Sequence, residues 1–369
     1  MKEYYKRTHL RPTVAVLTTK PETVIKDLYK LMHMAEYWKY LPKGEDTALK
    51  INISWHYFYP ACSTTPWQLE GVIKTLLADG YMKELIHACH NRTVVVSAKK
   101  GEIANKHKPV IERYGLRNIH LYENEEWITY EPKGRMLVLP EIFPDGIRIP
   151  KRMIGENIIH LPTMKTHVFT TMTGAMKNAF GGLLHEKRHW THSVIHETLV
   201  DLLTIQKEIH SGIFAVMDGT FAGDGPGPRC MVPHVKNYIL ASGDQVAIDA
   251  VAAKMMGFDP MSIRFIRLAH EAGLGCGDPA GIEVVGEDIS NVNFGFHANE
   301  NTFASRGQKL IYWGSLKPLE KLLLRTAMTP WSYLASIAYH DWYWYPFIGR
   351  RRVKKALNTG WGSLFQKYE

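Results

Sequence analysis

Short β-rich runs alternate with helical stretches along the first 300 residues, and this pattern limits the fold more than any other feature. Pro12–Leu17 reads as a strand, followed by a helix over 21–39 with apolar positions at Val24, Leu28, Leu31 and Met32. Leu49–Trp55 is strand-like. Pro66–Ala78 has helical spacing (Trp67, Leu69, Val72, Ile73, Leu76, Leu77) and meets Gly80, a common helix stop. Further strands are expected at Thr93–Ala98, Ile119–Tyr122, Met136–Leu139, Ile158–Leu161, Gly212–Met217 and Asn237–Ala241. Asp244 caps a helix running to Met256, a second helix spans Pro260–Ala272, and Ile282–Val285 closes the series. Such alternation predicts an α/β fold with a largely parallel or mixed central sheet flanked by helices. Residues 1–300 are expected to form one domain, and 301–369 a C-terminal extension.

Composition narrows the class. Hydrophobic residues make up 45% of the chain and charged residues 22%, which excludes collagen-like and wholly disordered proteins. The four cysteines (Cys62, Cys89, Cys230, Cys276) stand far apart with no Cys-x-x-Cys, so no disulfide framework, cysteine zinc ribbon or ferredoxin-type cluster is expected. Met1–Arg7 precedes no apolar run of signal-peptide length, and no stretch reaches the roughly 18 uncharged residues of a membrane-spanning helix. A cytoplasmic chain is the expectation, with peripheral contact at the cytoplasmic membrane face as its variant.

That variant comes from the extension. Trp331, Tyr333, Tyr339, Trp342, Tyr343, Trp344, Tyr345 and Phe347 crowd into 17 residues, and Arg350-Arg351-Arg352-Val353-Lys354-Lys355 follows. Aromatic rings with polar edges favour the headgroup zone and clustered cations favour anionic lipid, so 330–369 suggests a segment lying on an anionic membrane surface. An arm packed on the core or on a second subunit is the alternative. The basic excess of nine is concentrated here, with nine Lys/Arg against three acids from Ser315 onward, and the body is close to neutral. A nucleic-acid partner is therefore not expected.

Sheets of this kind place ligands beyond the carboxyl ends of their strands, and three such loops carry chemistry. Lys50-Ile51-Asn52 is followed by Ser63-Thr64-Thr65-Pro66 at a helix start, which reads as an anion site or as a plain N-cap. Lys165-Thr166-His167 and Thr173-Gly174-Ala175-Met176-Lys177-Asn178 form the richest segment, offering amines, an imidazole and an amide beside glycines. Solvated surface lysines are its bland counterpart. Asp218-Gly219 opens the glycine-rich run to Pro228, where Gly225 would let backbone approach a ligand. The run is neither a Walker loop nor Gly-x-Gly-x-x-Gly, and turn-making alone would also explain it. Between these loops His185, His189, His192 and His196 fall within roughly 60° of arc if one helix is continuous. They could present imidazoles to a metal, and His185-Glu186-Lys187-Arg188-His189 has the outline of His-Glu-x-x-His.

These segments in this order resemble the domain-of-unknown-function 362 family. The matching pieces are Lys50-x-Asn52, Thr65-Pro66, Lys165-Thr166-His167, Thr173 to Asn178, Asp218-Gly219 with Gly225-Pro226, Gly243 to Ala250, and Gly273-Leu274-Gly275. The likeness spans roughly 45–290. Many members resemble redox proteins because they also carry a ferredoxin-type four-cysteine motif, which this chain lacks. The ten-residue interval from His167 to Lys177, with His192 downstream, is also similar to nickel-pincer lactate racemases. That similarity implies a cofactor on Lys177 with His167 and His192 near its metal.

The expected site thus gathers His167, Lys177 and Asp218 as catalytic groups, with Lys50, Asn52, Thr65, Lys165, Thr173, Asn178 and Gly225 binding substrate or cofactor. Glu186, Asp224 and Asp249 are reserves. The expected chemistry is redox or metal-assisted, on an anionic small-molecule or lipid-phase substrate, with a metal ion as the candidate cofactor. The competing expectation is a non-catalytic peripheral membrane or assembly protein.

Overall fold

In a computed structural model of the chain, residues 11–298, 300–326 and 329–369 are described, apart from the Glu186 side chain. The N-terminal reading at Met1–Arg7 and the Glu186 assignment lie outside the described residues. The main sheet runs in the order β12 (Glu283–Gly286), β1 (Thr13–Thr18), β11 (Val232–Ser242), β10 (Gly212–Asp224), β7 (Asn157–Leu161), β2 (Thr47–Ile51), β3 (Ile86–His90), β4 (Arg117–His120). From β10 to β4 every pairing is parallel; β11 is antiparallel to both its neighbours. A further strand, β8 (Thr163–His167), runs parallel to β10 and pairs with β9 (Thr171–Met172), while β5 (Trp127–Tyr130) and β6 (Ile147–Pro150) form a separate two-stranded antiparallel sheet. The fold is α/β with a mixed sheet.

Residue alternation along the strands builds two cores. Val14, Val16 and Ile158 face helices 195–209, 245–256 and 264–271, whereas Ala15, Leu17 and Ile159 face helices 24–34, 66–78 and 107–113. β2, β3 and β7 are buried along their whole length, as parallel strands covered on both sides must be. The extension joins the second core: Trp344, Ala356, Trp361, Phe365 and Tyr368 are buried in it. Trp361 Nε1 donates to Asn237 at 2.7 Å, and Phe365 stacks on Phe58.

Several expected elements differ. Thr93–Ala98 is a bridged turn leading into helix Ala98–Ala104, so its valines line a cavity instead of pairing in a sheet. Met136–Leu139 leads into a one-turn helix, with Asp201 accepting from the amides of Leu137, Val138 and Leu139. The strand expected to stop before Asp218-Gly219 continues to Asp224, with a bulge between Gly219 and Phe221. The histidine stripe lies on no single helical face. Glu186–Val194 is wound at three residues per turn, and the α-helix begins only at Ile195.

Candidate active site

Beyond the carboxyl ends of β2, β3 and β8 lies a cavity of about 970 Å³. Its floor carries Lys50, Asn52, His90, His167, Lys177 and Asn178; Arg188, His192 and Arg229 lie on its sides, and Phe303, Arg306, Tyr312, Trp331 and Tyr339 come from the extension. Among the described residues lining it there is no aspartate or glutamate. Five cationic side chains therefore share an otherwise mostly apolar wall, a combination suited to a ligand with an anionic end and a hydrophobic body.

The three lysines differ in how they are held. Lys165 is fully buried; its Nζ donates to the Cys62 carbonyl at 2.5 Å, Thr163 Oγ1 at 2.9 Å and Ser54 Oγ at 3.3 Å. Lys50 Nζ donates to the Ile51 carbonyl at 2.6 Å, and Gly182 lets the chain cross above it, since a Cβ there would lie 2.6 Å from Lys50 Cε. Burial lowers both amines to about 8. Lys177 has no hydrogen bond or ion pair among the described residues; its Nζ lies 5.3 Å from the Phe180 ring centre. Burial first, then the charges of Lys165 and Arg188, lower it to about 7.

Lys177 is positioned from behind. The helix Gly174–Asn178 starts with its amides on a buried carboxylate: Ala175 N donates to Asp249 Oδ1 at 2.5 Å and Met176 N to Oδ2 at 3.0 Å. Gly174 has φ +82°, and a Cβ there would meet Asp249 at 2.3 Å, so glycine is required. Burial raises Asp249 to about 8. Asn178 Nδ2 donates to the Lys50 carbonyl at 2.9 Å, tying this helix to β2.

The two histidines beside Lys177 are both neutral in character. Burial, followed by the charge of Lys177, lowers His192 to about 3 and carries His167 well below its ordinary value. His192 Nδ1 donates to the His189 carbonyl at 2.8 Å, which leaves the lone pair on Nε2. His167 Nδ1 accepts from Phe169 N at 3.2 Å, which leaves its Nε2 carrying hydrogen. As placed, His192 offers a lone pair to a metal and His167 does not. The donor set thus meets only part of what a lysine-borne nickel cofactor implies.

Other expected residues serve the frame. Asp218 is buried away from the cavity lining; it accepts from Thr65 Oγ1, from Trp67 Nε1 at 2.8 Å, and from Thr220 N and Oγ1 at 2.6 Å. Burial nevertheless raises its carboxyl. Thr65 also caps helix Pro66–Ala78 in a capping box with Gln68. Asn52 Nδ2 donates to the Cys62 carbonyl at 3.2 Å from its place on the wall. Thr173 Oγ1 donates to the Thr163 carbonyl. The Gly225 carbonyl accepts from Thr166 Oγ1 at 2.7 Å, and neither residue lines the cavity. Asp224 holds His297 through its backbone N at 2.6 Å and Nδ1 at 3.1 Å.

Arg229, Arg306 and His90 are wall residues that the sequence does not single out. Arg229 follows the Pro226–Pro228 turn, and its NH1 is buried without a hydrogen-bond partner among the described residues. Arg306 comes from the extension, and His90 ends β3. The polar residue beyond a strand end was the available signal for His90; nothing local marked the two arginines.

A family profile described as "Domain of unknown function (DUF362)" matches residues 47–254, more than half of the chain. The "Thylakoid-associated protein sll1697" of Synechocystis sp. is 27% identical over 132 residues, covering 35% of this chain. The match spans 41% of that relative's length. No solved structure matches the chain. No helix among the described residues is long and apolar enough to cross a membrane.

Proposed function

The chain belongs to the domain-of-unknown-function 362 family, and from that premise and its cavity we propose an enzyme acting on an anionic amphiphile taken from a membrane surface. Lys177 carries the proposal: a near-neutral amine with no hydrogen bond or ion pair among the described residues, in a wall lacking carboxylates among its described residues. At pH 7 such an amine is divided between two forms. The ammonium binds an anionic headgroup, and the free amine can accept a proton or attack a carbonyl. Arg229, with an unmet NH1, supplies a second anchor for the same charge. Phe303, Tyr312 and Trp331 cover the hydrophobic part.

The extension supports delivery from a membrane surface. Trp331, Leu334, Trp342, Tyr343 and Phe347 stand exposed, with Trp342 at 64% and Phe347 at 61%, followed by exposed Arg350, Arg351, Lys354 and Lys355. Rings at the headgroup level beside cations suit an anionic lipid surface. The thylakoid association named for the relative agrees with such a location.

A titration of the reductively ¹³C-methylated protein, with and without dodecyl phosphate, tests this. One lysine resonance, absent from Lys177→Ala, should titrate near pH 7 and move upward when the alkyl phosphate binds. A midpoint in the ordinary lysine range, or one indifferent to the ligand, would overturn the proposal.

A further inference from the structure

Outside the lysine cluster, two adjacent parallel strands end in histidines. The β3/β4 register places His90 directly beside His120, so both imidazoles project from the same end of the sheet. The helix that follows β3 returns Glu102 between them: His90 Nε2 meets Glu102 Oε1, and His120 Nε2 lies 2.6 Å from the same oxygen. One donor atom from each residue falls within 4.8 Å of the others. His90 and Glu102 are buried, and His120 is largely so.

We propose that His90, Glu102 and His120 form a binding site for a first-row divalent metal ion, in the zinc and iron(II) class, at the edge of the cavity. Two imidazoles and one carboxylate are the donor set such ions favour. His120 is already oriented for this: Glu123 Oε2 lies 3.0 Å from its Nδ1, the carboxylate–histidine arrangement that fixes the ring and turns Nε2 toward a metal. Glu123 is itself paired with Lys99 at 2.7 Å. Ligand atoms on a tetrahedral ion stand about 3.3 Å apart at the usual bond lengths. His120 Nε2 would therefore part from Glu102 Oε1 from 2.6 Å to about 3.3 Å to admit one, and His90 would swing farther from the same oxygen. His90 also forms part of the cavity wall, so an ion held there adjoins the space where substrate would sit.

The full-length protein, stripped with chelator and desalted, is titrated with cobalt(II) chloride by absorption and with zinc chloride by calorimetry. One equivalent should bind saturably, with cobalt giving a visible ligand-field band. Glu102→Gln and His120→Asn should abolish that band, Glu123→Gln should weaken binding roughly 10- to 100-fold, and Lys177→Ala and His192→Asn should retain it. Glu123 lies at the surface, so its variant reports on the site even if the buried Glu102→Gln variant fails to fold. No saturable equivalent, or one that survives His120→Asn and Glu123→Gln unchanged, would overturn the assignment. Loss of binding in His192→Asn with retention in His120→Asn would place the metal at Lys177 and overturn it equally.

Discussion

Lys165 and Lys177 lie twelve positions apart in one polar segment, and both titrate far below ordinary lysines, yet they do opposite work. Lys165 donates three hydrogen bonds and is not among the residues lining this cavity. Lys177 donates none among the described residues and faces an open volume. A depressed pKa alone does not separate a frame lysine from a reactive one, because desolvation produces it in both. Saturation of the amine separates them: a buried cation whose donors are all used stabilises its surroundings, and one whose donors are idle is available to a ligand.

The largest effect expected from this comparison is on stability. Lys165→Ala removes three hydrogen bonds and leaves the Thr163 hydroxyl buried without its donor, at about 1–3 kcal/mol, while the Cys62 carbonyl keeps the Asn52 amide. Denaturant unfolding should therefore show a loss of about 2 kcal/mol. Lys177→Ala removes no hydrogen bond among the described residues and should not destabilise the fold, while losing dodecyl phosphate binding. Equal losses would erase the distinction.

The next effect is on pH dependence. Lys177 releases its proton near pH 7 in the fold but only near 10.4 when unfolded. Between those values the unfolded chain holds more protons, so stability rises with pH; below pH 7 both states are protonated and this penalty is fully present. Asp249, protonated in the fold up to about pH 8, opposes this rise, and Lys50 and Lys165 add to it from about pH 8, equally in parent and variant. The urea midpoint of the parent relative to Lys177→Met should therefore rise between pH 6.5 and 9. An unchanged profile in Lys177→Met would show that Lys177 is better solvated than its surroundings imply.

The smallest change in stability is expected at the surface. Trp342→Ser and Phe347→Ser should shift unfolding by less than about 0.5 kcal/mol. Both should weaken sedimentation with phosphatidylserine-containing vesicles, and more so as salt rises. Full retention on vesicles would confine the extension to its packing role.

Local patterning made the fold legible, but it did not give the full outline of the cavity. Buried runs such as Asn157–Leu161, and the helix from Asp244 to Gly257, announce themselves through continuous apolar residues, an N-cap and a glycine stop. The valines after Thr93 read as a strand because β-branching signals a pleated surface, and here that surface is a cavity wall. The histidine stripe misled through its assumed period: three residues per turn brings His189 and His192 into line and breaks the 100° arithmetic. Lys50, His167 and Lys177 were visible as polar residues at strand ends and beside glycines. Asp218 looked the same, and only its four donors reveal it as a brace. Arg229 and Arg306 line one cavity from positions 77 apart in the chain, a distance over which no periodicity speaks. His90 and His120 become neighbours through strand register alone.

The matched family region, 47–254, contains Lys50, His167, Lys177, His192 and Arg229, whereas Phe303, Arg306, Tyr312, Trp331 and Tyr339 lie downstream of it. Floor and enclosing roof are therefore written in separate stretches of coding sequence. Substitutions in the last seventy codons can reshape what the chamber admits without touching the groups that would act on it. For an engineer, the extension is the part to diversify when a different guest is wanted.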